Sequence, residues 1–374
     1  MAEKTALVTG ACGFSGSHVC KWLLDRGWDV TAMDLEAAPR EFLSDILDRI
    51  RFVPADLTQK DTLATPVDGA QIIFHPAAIF NYSAPMELLR AVNVEGTRNL
   101  IETCMNSSSF EKMVMWSSVA MYGEADPKFY KMPITEDQPL NPKYGGHYDL
   151  SKREQEEVAR KYATENDFKV TYIRPAPLYG PGSYYGIYYL WKVLKLGVLP
   201  VLPGNLHNGS IPLVHVDDVS NAALFFADPA IGQNEAYIIV DDNVLDFIDT
   251  MKYVCVLVDH KLKIIHPLPL ALLKPFLKLF GMWSFWEAQH LRKSYINGKK
   301  PTPKLEADTM IYLFGKYWFS NKKLKDAGYQ LLYPDRRTGL LETVLWYDQH
   351  GWLTPLEQAT IDAKKGTKQG GAAA

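Results

Sequence analysis

The chain has 374 residues, 47% hydrophobic and 22% charged, which excludes intrinsic disorder for most of it and leaves room for two lobes. Lys and Arg number 40 against 43 Asp and Glu, a net charge of -3, so no global basic field exists to hold nucleic acid. The four cysteines, Cys12, Cys20, Cys104 and Cys255, contain no C-x-x-C pair, so neither a metal cluster nor a disulfide scaffold is expected. Met1 to Thr5 is polar, with no signal-like segment ahead of the first apolar run, and a cytoplasmic chain is the expectation. No uncharged apolar stretch reaches about 18 residues, which argues against a conventional transmembrane helix.

Strand-like and helix-like segments alternate through the first half. Ala6 to Thr9, Val30 to Met33, Ile72 to Phe74, Met113 to Met115 and Val170 to Ile173 are short apolar runs. Between them lie helical stretches at Gly16 to Arg26, around Pro85 to Met105, and at Ser151 to Asn166. This rhythm implies βαβ crossovers and an α/β fold: a doubly wound parallel Rossmann sheet, with a smaller, mostly helical C-terminal substrate lobe. The boundaries expected are 1–182 for the dinucleotide-binding domain, with 211–245 returning to it. The substrate lobe takes 183–210 and 246–363, and 364–374 forms a low-complexity tail.

The first βα turn reads Thr9-Gly10-Ala11-Cys12-Gly13-Phe14-Ser15-Gly16. Gly10 permits a tight turn, Gly13 lets backbone approach a pyrophosphate, and Gly16 lets helix and strand pack closely. The helix start then offers free N–H groups to phosphate. Asp34 closes the second strand, where a carboxylate accepts from both ribose hydroxyls and repels a 2′-phosphate; NAD is favoured over NADP. Asp56 and Leu57 stand where an adenine is met.

Tyr148 and Lys152 are four residues apart on one helix face, and Ser117-Ser118 follows a strand at the carboxyl edge of the sheet. Hydride transfer from a carbinol carbon requires a partner for the hydroxyl proton. A phenol with a pKa near 10 is a poor base at neutral pH, and a neighbouring ammonium is expected to lower that pKa. Ser118 is placed to hydrogen-bond the reacting oxygen. Asn93 suits either a water-mediated proton relay or a helix-stabilising role.

On these elements the chain resembles the extended short-chain dehydrogenase/reductases. Further matches are His75-Pro76-Ala77-Ala78, Asn93 to Thr97, Arg174 to Gly182, His215 to Val219 and Phe319 to Lys323. The resemblance implies Ser118, Tyr148 and Lys152 as catalytic groups, with Tyr148 as the acid or base. It implies that Ala77, Ala78, Pro175, Ala176 and Leu178 flank the cofactor beside Tyr148 and Lys152, and that the protein is a homodimer.

Within that superfamily, His75 to Ile79 and an apolar C-terminal block are similar to the 3β-hydroxysteroid dehydrogenase and sterol-4α-carboxylate 3-dehydrogenase branch. Tyr184 to Leu202 carries only Lys192 and Lys195 as cations and is otherwise apolar and aromatic, which suits a bulky hydrophobic substrate better than a diphosphate. Residues 264–292, with Lys278, Trp283, Trp286, Arg292 and Lys293, suggest a helix lying at a membrane surface; an internal helix of the substrate lobe is the other reading. The expected activity is NAD-linked oxidation, or the reverse reduction, of a ring hydroxyl on a sterol-like or other bulky hydrophobic alcohol, with loss of carbon dioxide where a carboxylate sits beside the new ketone. The alternatives are a reductase or epimerase of nucleotide sugars or long-chain β-keto acids, and a non-catalytic NAD-binding protein at a membrane.

Overall fold

The computed structural model describes residues 4–81, 84–123, 128–143, 146–184, 188, 191, 201–203, 211–242, 245–259, 263–265 and 318–352. The block at 264–292 falls almost wholly outside the described residues, as do Lys192, Lys195 and the tail at 364–374.

Seven parallel strands form the central sheet: β1 (Thr5–Thr9), β2 (Asp29–Asp34), β3 (Arg51–Pro54), β4 (Ile72–His75), β5 (Lys112–Trp116), β6 (Val170–Pro175) and β10 (Ala236–Ile239). Their order across the sheet is β10-β6-β5-β4-β1-β2-β3. The central strands β4, β5 and β6 are buried along their whole length, because helices cover both faces. The edge strand β3 is mixed in burial, as an edge tolerates.

The order reverses between β1 and β4, and a crevice opens there beyond the strands' carboxyl ends. Thr9 ends β1 and His75 ends β4, so both stand at its floor. Helix α1 (Phe14–Leu24) begins directly after the glycine turn. The short α2 (Ala64–Val67) precedes β4.

The helical stretch expected from Pro85 to Met105 is interrupted. It runs as α3 (Met86–Leu89), a π-helical turn at Arg90–Glu95, then α4 (Gly96–Met105). The turn contains Asn93, fully buried, whose carbonyl accepts the Thr97 hydroxyl at 2.7 Å. Such bulges add a residue to a turn and redirect the side chains on it.

Helix α5 (His147–Asn166) starts four residues ahead of the expected Ser151 and carries Tyr148 in its first turn, on the same helix as Lys152. Glu156, on its inner face, is locked to Arg174 of β6 by Nη2–Oε1 and Nε–Oε2 hydrogen bonds of 2.5 and 3.1 Å. Both side chains are almost completely buried, at 1% and 6% exposure. The pair clamps the helix bearing Tyr148 and Lys152 to the sheet.

After β6, the two-residue strand β7 (Leu178–Tyr179) pairs with β9 (Val214–His215), and β8 (Val201–Pro203) pairs with β11 (Lys263–Ile265). Helix α6 (Val216–Phe225) leads to β10, and α7 (Phe247–Leu257) packs against α9 (Arg336–Gln349). The short α8 (Lys322–Asp326) lies beside β10. Arg336, fully buried, forms a bidentate pair with Asp241 just past β10, at 2.9 and 2.8 Å. Asp218 accepts the backbone N–H groups of Leu332 and Tyr333. These two carboxylates tie the C-terminal segment to α6 and to the loop after β10.

Candidate active site

The glycine turn is shaped by close approach. Gly10 has a φ of +60°, and a Cβ there would stand 2.9 Å from the Ala77 Cα. A Cβ on Gly16 would meet the Gly10 carbonyl oxygen at 2.2 Å, closer than any side chain tolerates. Thr9 is buried, and Phe14 and Ser15 occupy the first turn of α1.

That turn fits a dinucleotide on the evidence of its own atoms. No side chain caps the start of α1, so its first N–H groups point outward without a protein acceptor from a cap. The Ser15 hydroxyl is buried with no hydrogen-bond partner. A phosphate oxygen answers both. Asp34 stands at the end of β2 with its carboxylate accepting the Cys12 N–H at 2.9 Å and the Leu35 N–H at 2.8 Å. It therefore braces the glycine turn from the end of β2, the position from which a carboxylate meets ribose hydroxyls. One Asp56 oxygen is taken by the N–H and hydroxyl of Thr58. Leu57 is buried against Gly96.

On the far side of the crevice, Pro175 ends β6 and Ala176 donates its N–H to Ile239 of β10 at 2.9 Å. Leu178 is half-buried in β7, and Ala77 and Ala78 are half-buried just beyond β4.

Tyr148 is buried, hydrogen-bonded to Ser118, and edge-on to Phe80 with ring centroids 5.0 Å apart. Phe80 itself is 42% exposed. The Ser118 hydroxyl accepts the Ala120 N–H at 3.1 Å, which caps the 3-10 turn Val119–Tyr122 and fixes the oxygen. Lys152 donates to the Trp116 carbonyl and to Gln155 Oε1, each at 2.6 Å.

The expectation that Lys152 lowers the phenol pKa is not met in this arrangement. Burial, with the Asp149 charge second, pushes the Tyr148 phenol above its ordinary value, against the Ser118 hydrogen bond. Lys152 spends two of its three donors on β5 and on its own helix. Burial pushes its amine down to about 7, against a partial lift from Glu156.

Asn93 is brought to the same region. Its side chain accepts the Ile79 N–H at 2.8 Å and donates to the Ile79 carbonyl and the Ser151 hydroxyl. It thereby clamps the segment after β4 to the first turns of α5.

Three residues at the site were not singled out from sequence: Gln155, Thr97 and Phe80. Gln155 lies seven residues beyond Tyr148 and three beyond Lys152, so helical spacing places it on the same face. A glutamine on a buried helix face was the available signal.

The model for the NAD dependent epimerase/dehydratase family matches residues 6–239, more than half of the chain. The chain belongs to the NAD dependent epimerase/dehydratase family. It is 30% identical over 251 residues to the bovine (Bos taurus) protein named sterol-4-alpha-carboxylate 3-dehydrogenase, decarboxylating, covering 65% of this chain and 67% of that one. It is 28% identical over 197 residues to the UDP-N-acetyl-alpha-D-glucosaminuronate decarboxylase of Bacillus cytotoxicus, covering 50% of this chain and 59% of that one. The crystal structure of a dTDP-glucose 4,6-dehydratase from Streptomyces venezuelae with NAD bound superposes with a TM-score of 0.69. It covers 94% of this chain and 100% of its own at 23% identity, a likeness of fold. As a member of the NAD dependent epimerase/dehydratase family, the chain is an NAD-dependent oxidoreductase acting on CH–OH.

Proposed function

We propose that this oxidoreductase oxidises, or in reverse reduces, a ring hydroxyl on a sterol-like or other bulky hydrophobic alcohol, through Ser118, Tyr148 and Lys152. The observation that carries the reading is the setting of the Tyr148 hydroxyl. It is buried, held by Ser118 and walled by the exposed ring of Phe80, one helical turn ahead of Lys152. An apolar rim of this kind favours a hydrophobic alcohol over a diphosphate sugar. The 30% identical sterol dehydrogenase supports the same substrate class.

NAD, when bound, supplies the hydride acceptor. Tyr148, as phenolate, takes the alcohol proton while the carbinol carbon gives up its hydride, so the substrate leaves as a ketone. Ser118 donates to the substrate oxygen and fixes its angle. The ammonium form of Lys152 keeps one donor beyond those bound to Trp116 and Gln155, which a hydroxyl of substrate or cofactor can take. With a carboxylate on the carbon beside the new ketone, carbon dioxide leaves, its bonding electrons form the enolate, and the proton held by Tyr148 is available to that enolate oxygen.

A second reading, a nucleotide-sugar substrate, is favoured by the 28% identical decarboxylase. The test is a panel of sterols, sterol 4-carboxylates, β-hydroxy acids and nucleotide sugars, read by NADH absorbance. Sterol-like alcohols are expected to turn over. Tyr148→Phe is expected to cut that turnover by about 100-fold or more, with NADH binding intact. Turnover of nucleotide sugars alone, or an unimpaired phenylalanine variant, overturns the proposal.

A further inference from the structure

Behind Lys152 lies a buried chain of polar side chains whose proton positions are set by chemistry alone. An ammonium only donates, so the Gln155 oxygen faces Lys152 and its amide nitrogen faces the other way. That nitrogen donates to the Thr97 hydroxyl oxygen at 2.9 Å. The Thr97 hydroxyl proton is committed to the Asn93 carbonyl, so its oxygen accepts from every other partner. His75 Nε2, 2.9 Å from that oxygen, must therefore carry a proton. His75 Nδ1 is then an acceptor, and the Thr9 hydroxyl, at 2.7 Å, donates to it. Thr9, His75, Thr97 and Gln155 are all fully buried.

The chain begins one residue before Gly10 and ends on Lys152. It crosses the sheet at the point where strand order reverses, joining β1, β4, α4 and α5. Each member is satisfied in one direction only. Burial, with the nearby Lys152 charge second, holds His75 down to about 3, so the ring stays neutral and the direction does not flip near neutral pH.

We propose that Gln155 is a positioning residue for Lys152, holding the amine against the Trp116 carbonyl and, through Thr97 and His75, setting it relative to the glycine turn. A flexible four-carbon stem has many rotamers, and two short acceptors on rigid elements select one. The charged and titratable groups facing this amine are Glu156, paired with Arg174 and Arg160, and the neutral His75 from β4. Tyr148 lies one turn away on the same helix.

The role of Lys152 in turnover rests on the function proposed above; the position of its amine does not, and the test separates them by reading the amine directly. Protein labelled with 13C at lysine Cε is titrated by NMR, and the Lys152 signal is assigned by its loss in Lys152→Met. Gln155→Glu keeps the acceptor and adds a negative charge, so the titration midpoint is expected to rise by about one pH unit or more. Gln155→Met keeps the volume and removes the acceptor, so the midpoint is expected to fall. Packing alone would move neither signal in opposite senses. With a turning-over alcohol, kcat is expected to fall about 10-fold or more in the Met variant, with the NAD KM moving less. Midpoints of both variants within 0.3 units (about 0.4 kcal/mol) of the parent overturn the proposal. If the variants fail to fold, the 15N shifts of His75 in the parent protein decide. The Nε2–H tautomer is expected, and the Nδ1–H tautomer or an imidazolium breaks the chain.

Discussion

Glu156→Gln removes one charge from the pair that holds α5 to β6. In the parent, the Glu156 carboxylate accepts Arg174 at 2.5 and 3.1 Å and Arg160 at 2.7 and 2.9 Å, with 1% of the glutamate side chain exposed. The glutamine presents an NH2 group to guanidinium donors, so one face of the pair becomes donor against donor. Arg174 cannot lose its proton and is left buried without a counter-charge. Breaking a buried pair in this way costs about 3–5 kcal/mol. With an unfolding entropy of about 2.1 cal/mol/K per residue, a chain of 374 residues loses roughly 4–6 °C in melting temperature.

The same substitution has a pH signature. Burial, the largest single influence, pushes the Glu156 carboxyl up, but the charges of Arg174 and Arg160 and the hydrogen bonds from Arg174 and Ser117 together hold it below the ordinary 4.5. A carboxyl depressed in the folded state contributes stability that is present above 4.5 and lost as pH falls through the folded value. The gap between parent and variant should therefore be widest near neutral pH and narrow on acidification. Circular dichroism melts at pH 7 and at about pH 4 measure both effects. The double variant Glu156→Leu with Arg174→Met should recover much of the loss, because it removes both buried charges and leaves only Arg160, which reaches solvent, without its partner. A single variant melting within 1 °C of the parent at neutral pH, or a double variant less stable than the single, refutes this account of the pair.

Two further outcomes follow from the site. Asp34→Ala removes the carboxylate that braces the Cys12 N–H and repels a 2′-phosphate, so fluorescence titration should show NADH binding weakened about 10-fold or more while NADPH binding changes little; unchanged preference removes Asp34 from cofactor selection. With the Lys152 amine at about 7 and the Tyr148 phenol above its ordinary value, the pair sheds its first proton near neutral pH. The species formed includes the phenolate–ammonium arrangement needed for oxidation. Alcohol oxidation should accordingly rise with pH through about 7 and ketone reduction should fall over the same range, measured as kcat/KM in each direction; a flat profile from pH 6 to about 9 would contradict it.

What the amino-acid sequence determined by itself is local. The glycine turn, the acid at the end of β2 and the spacing of Tyr148 from Lys152 are set by backbone geometry over a few residues, and each is legible without knowing what packs against it. Continuous apolar runs announced the buried strands for the same reason. Tertiary structure decided which partner each polar group takes. Gln155, Thr97, His75 and Thr9 come from four elements and meet only because the strand order reverses between β1 and β4. The π-helical turn at Arg90–Glu95, which aims the Asn93 side chain at Ile79 and Ser151, interrupts what reads as one helix. The direction of the Tyr148 shift was likewise hidden, since spacing along a helix places an ammonium near a phenol but does not say whether desolvation or that ammonium prevails. In the folded chain desolvation prevails, with the Asp149 charge adding to it.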